Sequence, residues 1–134
     1  MINTDTHRRA IIMGATSGIG MEVARELARR GWRLGIAGRR VERLKELREE
    51  LPQVVAVKQI DVTDEGAAQR LGELIEETGG MDLYFHSSGI GWQNMGLDAE
   101  KEILTAETNV VGFTRMVTAA FNYFAGHGNQ IEHE

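Results

Sequence analysis

The chain of 134 residues contains no cysteine. Disulfides, thiolate nucleophiles and thiolate metal ligands are therefore excluded, and a reducing, cytoplasmic setting is expected. No metal site is anticipated. No apolar stretch approaches the ~20 residues needed to cross a bilayer, and the first residues, MINTDTHRR, carry no apolar segment of the signal-peptide kind. Basic tracts are also missing. Net charge is −5, with both signs mixed along the chain, so neither nucleic acid nor an anionic membrane is an expected partner. Proline occurs once, at Pro52. Aromatic residues make up 6% of the chain, with only two tyrosines, Tyr84 and Tyr123. Lysine is scarce as well: Lys45, Lys58 and Lys101 are the full set, and no Tyr-x-x-x-Lys occurs.

What is present is regular. Short apolar runs alternate with amphipathic ones. Strands are expected over 10–13, 32–37, 54–60 and 81–86, and helices over 18–30, 41–51, 64–78 and about 98–124. In the first helix Ile19, Val23 and Leu27 fall on one face, and Gly31 stops it. Pro52 follows the second, and Thr63 is placed to cap the third. Strands separated by helices of this length cannot form hairpins. They imply right-handed crossovers and a parallel sheet with helices on both faces. The length suits one domain over 1–134.

The stretch IIMGATSGIG, residues 11–20, joins the first strand to the first helix. A helix start offers unpaired N–H groups and partial positive charge, which attract phosphate. Gly14 permits a sharp turn, Gly18 a close approach of backbone to pyrophosphate, and Gly20 tight packing of helix on sheet. Thr16 and Ser17 can add hydroxyl donors. Alone, three glycines fit a ligand-free turn equally well. The second strand, however, ends in Gly38-Arg39-Arg40, where a nucleotide ribose should lie. A carboxylate there would bond the ribose hydroxyls of NAD; guanidinium favours a 2′-phosphate and hence NADP. The competing reading is a solvated arginine pair at a helix start.

Together IIMGATSGIG, AGRR, IDVTD and the stretch Asn109-Val110-Val111-Gly112 resemble the short-chain dehydrogenase/reductase family, in register from about residue 8 to about 131. The resemblance implies a Rossmann-like, doubly wound sheet, here four strands in the order 3-2-1-4. It implies that Gly14, Gly18 and Gly20 are the cofactor glycines, with Ile19 beside them and Met13 where the family usually has Thr. Arg39, next to Arg40, matches the basic residue of NADP-preferring members. Asp61, with Val62 beside it, matches an acid that bonds the adenine amino group; a turn role for Asp61 is the alternative. The family's Asn-Asn-Ala-Gly is matched by His86, Ser87, Ser88 and Gly89, of which only Gly89 is kept. Ser87 could still reach the cofactor ribose, and His86 is a strand-end residue or, at longer odds, a base. Asn109 matches the helix asparagine that supports a proton-relay water, the only matched member of the catalytic set.

The family moves hydride between a nicotinamide and a carbonyl or alcohol carbon. A tyrosine exchanges the proton, a lysine four residues later lowers its pKa, and a serine polarises the carbonyl. An unassisted tyrosine titrates near ~10, so the lysine is part of the mechanism. That serine, tyrosine and lysine follow the family's fifth strand. Here GNQI, from residue 128, is followed by Glu132-His133-Glu134. The expectation is the N-terminal cofactor half of such an enzyme, nearly inactive by itself. A non-catalytic NADP-binding module or sensor is the alternative. Strand 81–86 becomes a sheet edge, so a homo-oligomer is expected, joined there or through the last helix.

Overall fold

The computed structural model describes residues 8–16, 18–87 and 99–127, with side chains of the last segment described from 111 onward. The elements are β1 (Arg9–Met13), α1 (Gly18–Arg29), β2 (Arg33–Gly38), α2 (Val41–Glu50), β3 (Val54–Gln59), α3 (Ala67–Thr78), β4 (Leu83–His86) and α4 (Ala99–His127). The four strands form one sheet in the order β3-β2-β1-β4, and every pairing is parallel. This is the doubly wound order that the sequence implied.

Alternation along β1 divides the core. Ala10 and Ile12 face α1 and α2, packing with Ala24, Ala28, Leu34, Ile36, Leu44, Leu47 and Val54. Ile11 and Met13 face α3 and α4, packing with Ala37, Leu71, Leu74, Ile75, Met116 and Ala120. Strands buried on both faces read as continuous apolar runs, as RAIIM and RLGIAG do. Each fully buried Ile or Leu contributes about 1.5–3 kcal/mol relative to exposure.

Two local expectations are corrected. The buried face of α1 is Gly20, Ala24 and Ala28. Ile19 is 69% exposed, and Val23 and Leu27 only flank the contact. Small residues let the helix axis approach the sheet, so the largest apolar side chains lie beside the seam rather than in it. Thr63 does not cap α3, which begins at Ala67 behind Gly66 with no side-chain cap. The Thr63 hydroxyl donates to Asp61 Oδ1 at 2.7 Å, and residues 61–66 form turns, so the helix begins too far along for Thr63 to be its N-cap.

The helix α3 ends in an αL glycine, Gly79, whose N–H donates to Ile75 and Glu76 carbonyls. It lies close over β2, where a Cβ on Gly35 would stand 2.1 Å from Thr78 Oγ1. The helix α4 runs antiparallel to β4. Its Phe113 meets His86 at the carboxyl end of the strand, and its Tyr123 hydroxyl accepts from Met81 N–H near the amino end. The α4 turns before Phe113 therefore project past the carboxyl edge of the sheet. No helix among the described residues is long and apolar enough to cross a membrane.

Candidate functional site

The carboxyl ends of β1, β2, β3 and β4 lie along one edge of the sheet, and four turns meet there. The first is the glycine turn. Gly14 has φ +87°, a conformation open to glycine. Its N–H and that of Ala15 both donate to the Ala37 carbonyl, at 2.9 and 3.0 Å. This ties the turn to the end of β2. A Cβ on Gly14 would come within 2.3 Å of the Ser87 carbonyl oxygen, and one on Gly20 within 2.1 Å of the Gly14 carbonyl oxygen. Both glycines are thus demanded by the protein itself. Gly18 differs: it opens α1, is exposed, and a Cβ there meets no described atom within 4 Å. Nothing described inside the protein requires glycine at 18, and the space beside it is open on the described side.

Thr16 turns its hydroxyl toward Gly38, with Oγ1 3.4 Å from where a Gly38 Cβ would be. It bridges the glycine turn and the end of β2. Ile19 stands exposed at the same mouth. Ser17 lies outside the described residues.

The second turn carries Arg39 and Arg40, both exposed. Arg40 is the extended N-cap of α2 and caps nothing with its side chain. Gln59 of β3 donates to the Arg39 carbonyl at 3.1 Å, which fixes that backbone and leaves the guanidinium facing water.

The third turn follows β3. Ile60 N–H donates to the Gly38 carbonyl at 2.9 Å. Asp61 Oδ1 accepts from the Thr63 hydroxyl and, at 3.0 Å, from the Thr63 N–H. The two Thr63 bonds hold the carboxyl below its usual range, helped by the Arg39 charge and opposed by partial burial. Its Oδ2 accepts no hydrogen bond from the described residues. Asp61 therefore has the turn role, with its second oxygen unbonded among the described residues. Val62 packs toward α4, where Gly112 and Arg115 meet it.

The fourth turn follows β4. Ser87 N–H donates to the Met13 carbonyl at 2.8 Å, and its own carbonyl lies against Gly14. Gly89 and the side chain of Asn109 lie outside the described residues, although Asn109 is on α4, one turn before Phe113.

One pairing escaped sequence reasoning. The Tyr84 hydroxyl lies 2.8 Å from His86 Nδ1. Burial raises the Tyr84 pKa above that of an ordinary phenol, so the hydroxyl stays protonated and donates. Burial also lowers the His86 pKa and keeps the ring neutral at pH 7. Residues two apart on a strand share a face, the one signal that could have paired them. Tyr84 is thus a partly buried donor, not a base. Tyr123 sits at the far end, stacked on His127. Lys58 is held by Glu73 and Glu77. Among the described residues no tyrosine and lysine come together at the site.

A parallel doubly wound sheet with a glycine turn between its first strand and first helix defines a nucleotide-binding α/β domain. The chain belongs to the short-chain dehydrogenase family, whose model matches residues 8–131. It is 32% identical to an uncharacterized oxidoreductase of Mycobacterium tuberculosis, over 96% of this chain and 54% of the relative. An uncharacterized oxidoreductase of Myxococcus xanthus is 36% identical over 85% of this chain and 47% of its own length. The chain spans about half the length of these curated relatives. Among solved structures, the actinorhodin polyketide ketoreductase with NADPH superposes with a TM-score of 0.77 at 27% identity, covering 95% of this chain and 52% of that one. An alcohol dehydrogenase from Thermococcus sibiricus complexed with 5-hydroxy-NADP gives 0.72 at 29% identity, covering 88% and 53%.

Proposed function

We propose that this chain is the cofactor-binding half of an NADP-dependent oxidoreductase that moves hydride between NADPH and a carbonyl or alcohol substrate. The observation that carries the reading is Arg39, exposed at the end of β2, beside a glycine turn whose Gly18 is the one glycine of the three that no described neighbour requires. Bound there, the nicotinamide supplies the hydride. The N–H groups at the start of α1, with the Thr16 hydroxyl and, by its place in the motif, Ser17, would hold the pyrophosphate. Arg39 and Arg40 face a 2′-phosphate, for which a guanidinium is suited by charge and geometry. Asp61, through Oδ2, would accept from the adenine amino group, Val62 and Ile19 would supply apolar contact, and Ser87, with Gly89 by its match to the family motif, would serve the ribose. Asn109 is the one member of the catalytic set in this chain.

The chain has no Tyr-x-x-x-Lys, so by itself it binds cofactor and turns over little or no substrate. That same observation favours a second reading, a non-catalytic NADP-binding module or sensor. Residues 1–134 are a single, partial dinucleotide-binding domain that works in the cytoplasm and self-associates. Two features support self-association: among the described residues β4 is a sheet edge, and Val111, Phe113 and Phe121 of α4 expose 55%, 47% and 67% of their surface.

The test separates the phosphate from the rest of the nucleotide. Calorimetry should find that 2′,5′-ADP binds more tightly than 5′-AMP, and that Arg39→Ala removes the difference. Equal affinities in the wild-type chain would sink the NADP assignment.

A further inference from the structure

The turn after β3 is held on one side by β2 and on the other by α4. Arg115 of α4 is half-buried, and its Nη1 donates to the Val62 carbonyl at 2.8 Å, across 53 residues of sequence. One turn earlier, Gly112 is buried against the same residue. A Cβ on Gly112 would lie 2.9 Å from Val62 Cγ2 and 3.2 Å from the Val62 carbonyl oxygen. So α4 reaches the turn by two independent contacts, one polar and one steric. Asp61 is the next residue back along that turn. Its Oδ1 is taken by Thr63, while Oδ2 accepts nothing from the described residues.

We infer that Arg115 is a positioning residue for the cofactor pocket: by holding the Val62 carbonyl against α4, with Gly112 setting the distance, it aims the open Asp61 oxygen at the adenine amino group. The inference rests on the cofactor reading above. Its physical basis is the narrow range of a useful hydrogen bond. An N–H···O contact works at 2.7–3.2 Å and weakens steeply as its angle opens. A turn free to shift by half an ångström would keep its fold and lose that aim. Arg115 is suited to the task because its planar guanidinium is always charged and donates from a fixed fork. The α4 backbone also carries Asn109, so the same contact sets the helix bearing that asparagine against the adenine wall.

The test uses NADP and its hypoxanthine analogue, which presents a carbonyl oxygen where adenine has its amino group. Asp61 should reject the analogue, so the wild-type chain should bind NADP about tenfold or more tightly than the analogue, as for one hydrogen bond to a charged acceptor. In Arg115→Met the ratio should collapse to about twofold, whereas Arg115→Lys, which can still donate to the carbonyl, should retain most of it. Gly112→Ala, which pushes on Val62 without removing a donor, should also narrow the ratio. A role in stability alone would lower the melting temperature and weaken both ligands equally, leaving the ratio intact. An unchanged ratio in folded Arg115→Met and in Gly112→Ala would overturn the inference while leaving the cofactor reading standing. Failure of the wild-type chain to bind either dinucleotide would overturn the cofactor reading and this inference with it.

Discussion

Gly20 and Gly18 lie two residues apart in one motif, yet alanine should do opposite things at each. At position 20 the new methyl would stand 2.1 Å from the Gly14 carbonyl oxygen and 2.9 Å from its carbon. Those atoms are backbone, pinned by the Gly14 and Ala15 bonds to Ala37, so relief requires moving α1 off the sheet. Overpacking of this kind costs about 1–3 kcal/mol, and the upper end applies because no flexible side chain can yield. Better helix propensity offsets about 1 kcal/mol. A net loss of roughly 1–2 kcal/mol lowers the melting temperature by roughly 4–10 °C in a domain of this size. At position 18 there is no described atom within 4 Å of the new methyl, and φ is not in the left-handed region. Gly18→Ala should therefore stabilise the fold by about 0.4–1 kcal/mol, through the unfolded chain. Its effect should fall on the ligand: the methyl occupies the space a phosphate needs, and NADP affinity should drop about tenfold or more. Thermal unfolding and calorimetry on both variants read the two effects separately. A Gly20→Ala chain as stable as wild type would refute the packing argument. A Gly18→Ala chain that binds NADP as wild type does would refute the phosphate-approach argument.

Three further outcomes follow from the same geometry. His86 is held neutral by burial, its pKa below the ordinary value of ~6.5. Its unfolded form takes up protons first, so its contribution to stability is full above that value and is lost as pH falls toward the folded pKa. His86→Gln should flatten the decline in melting temperature between pH 7 and 5; an unchanged slope would contradict this. Gly35→Ala would set a methyl 2.1 Å from Thr78 Oγ1 and 2.8 Å from Ile11 Cδ1, and should cost about 1–3 kcal/mol in denaturant unfolding. Arg39→Ala should leave stability within about 0.5 kcal/mol of wild type, as for an exposed residue, while lowering NADP affinity and sparing NAD; a parallel loss for both cofactors would count against a 2′-phosphate role.

The parallel sheet was legible from pattern, and its strand order from the family resemblance. Apolar runs such as RAIIM and VVAVKQ, separated by helices, leave a parallel sheet as the economical solution, and the family resemblance orders its strands. Element bounds came within about three residues. In α1 the stripe of Ile19, Val23 and Leu27 is not the seam, because hydrophobic size is a poor guide where a helix must lie close: Gly20, expected to give tight packing, fills it with Ala24 and Ala28, and Ile19 is exposed. The cap of α3 was misread because Asp61 draws both the Thr63 hydroxyl and its N–H into a local turn, and the helix starts only at Ala67, beyond the reach of a Thr63 cap. At the site, the three glycines, Arg39 and Asp61 could be placed from motif and position. Arg115 could not, since its bond to Val62 spans 53 residues and depends on where α4 meets the turn after β3. Nor did Tyr84 and His86 announce themselves, because a strand spacing of two says that residues share a face but not that they bond.

The central claim is that this chain holds a 2′-phosphorylated dinucleotide at the carboxyl edge of its sheet. Calorimetric titration of the 134-residue chain with NADP and with NAD tests it most directly. Clear binding of NADP, at least tenfold tighter than NAD, is the result expected from a guanidinium on the extra phosphate. Binding of neither, or a preference for NAD, would contradict the account.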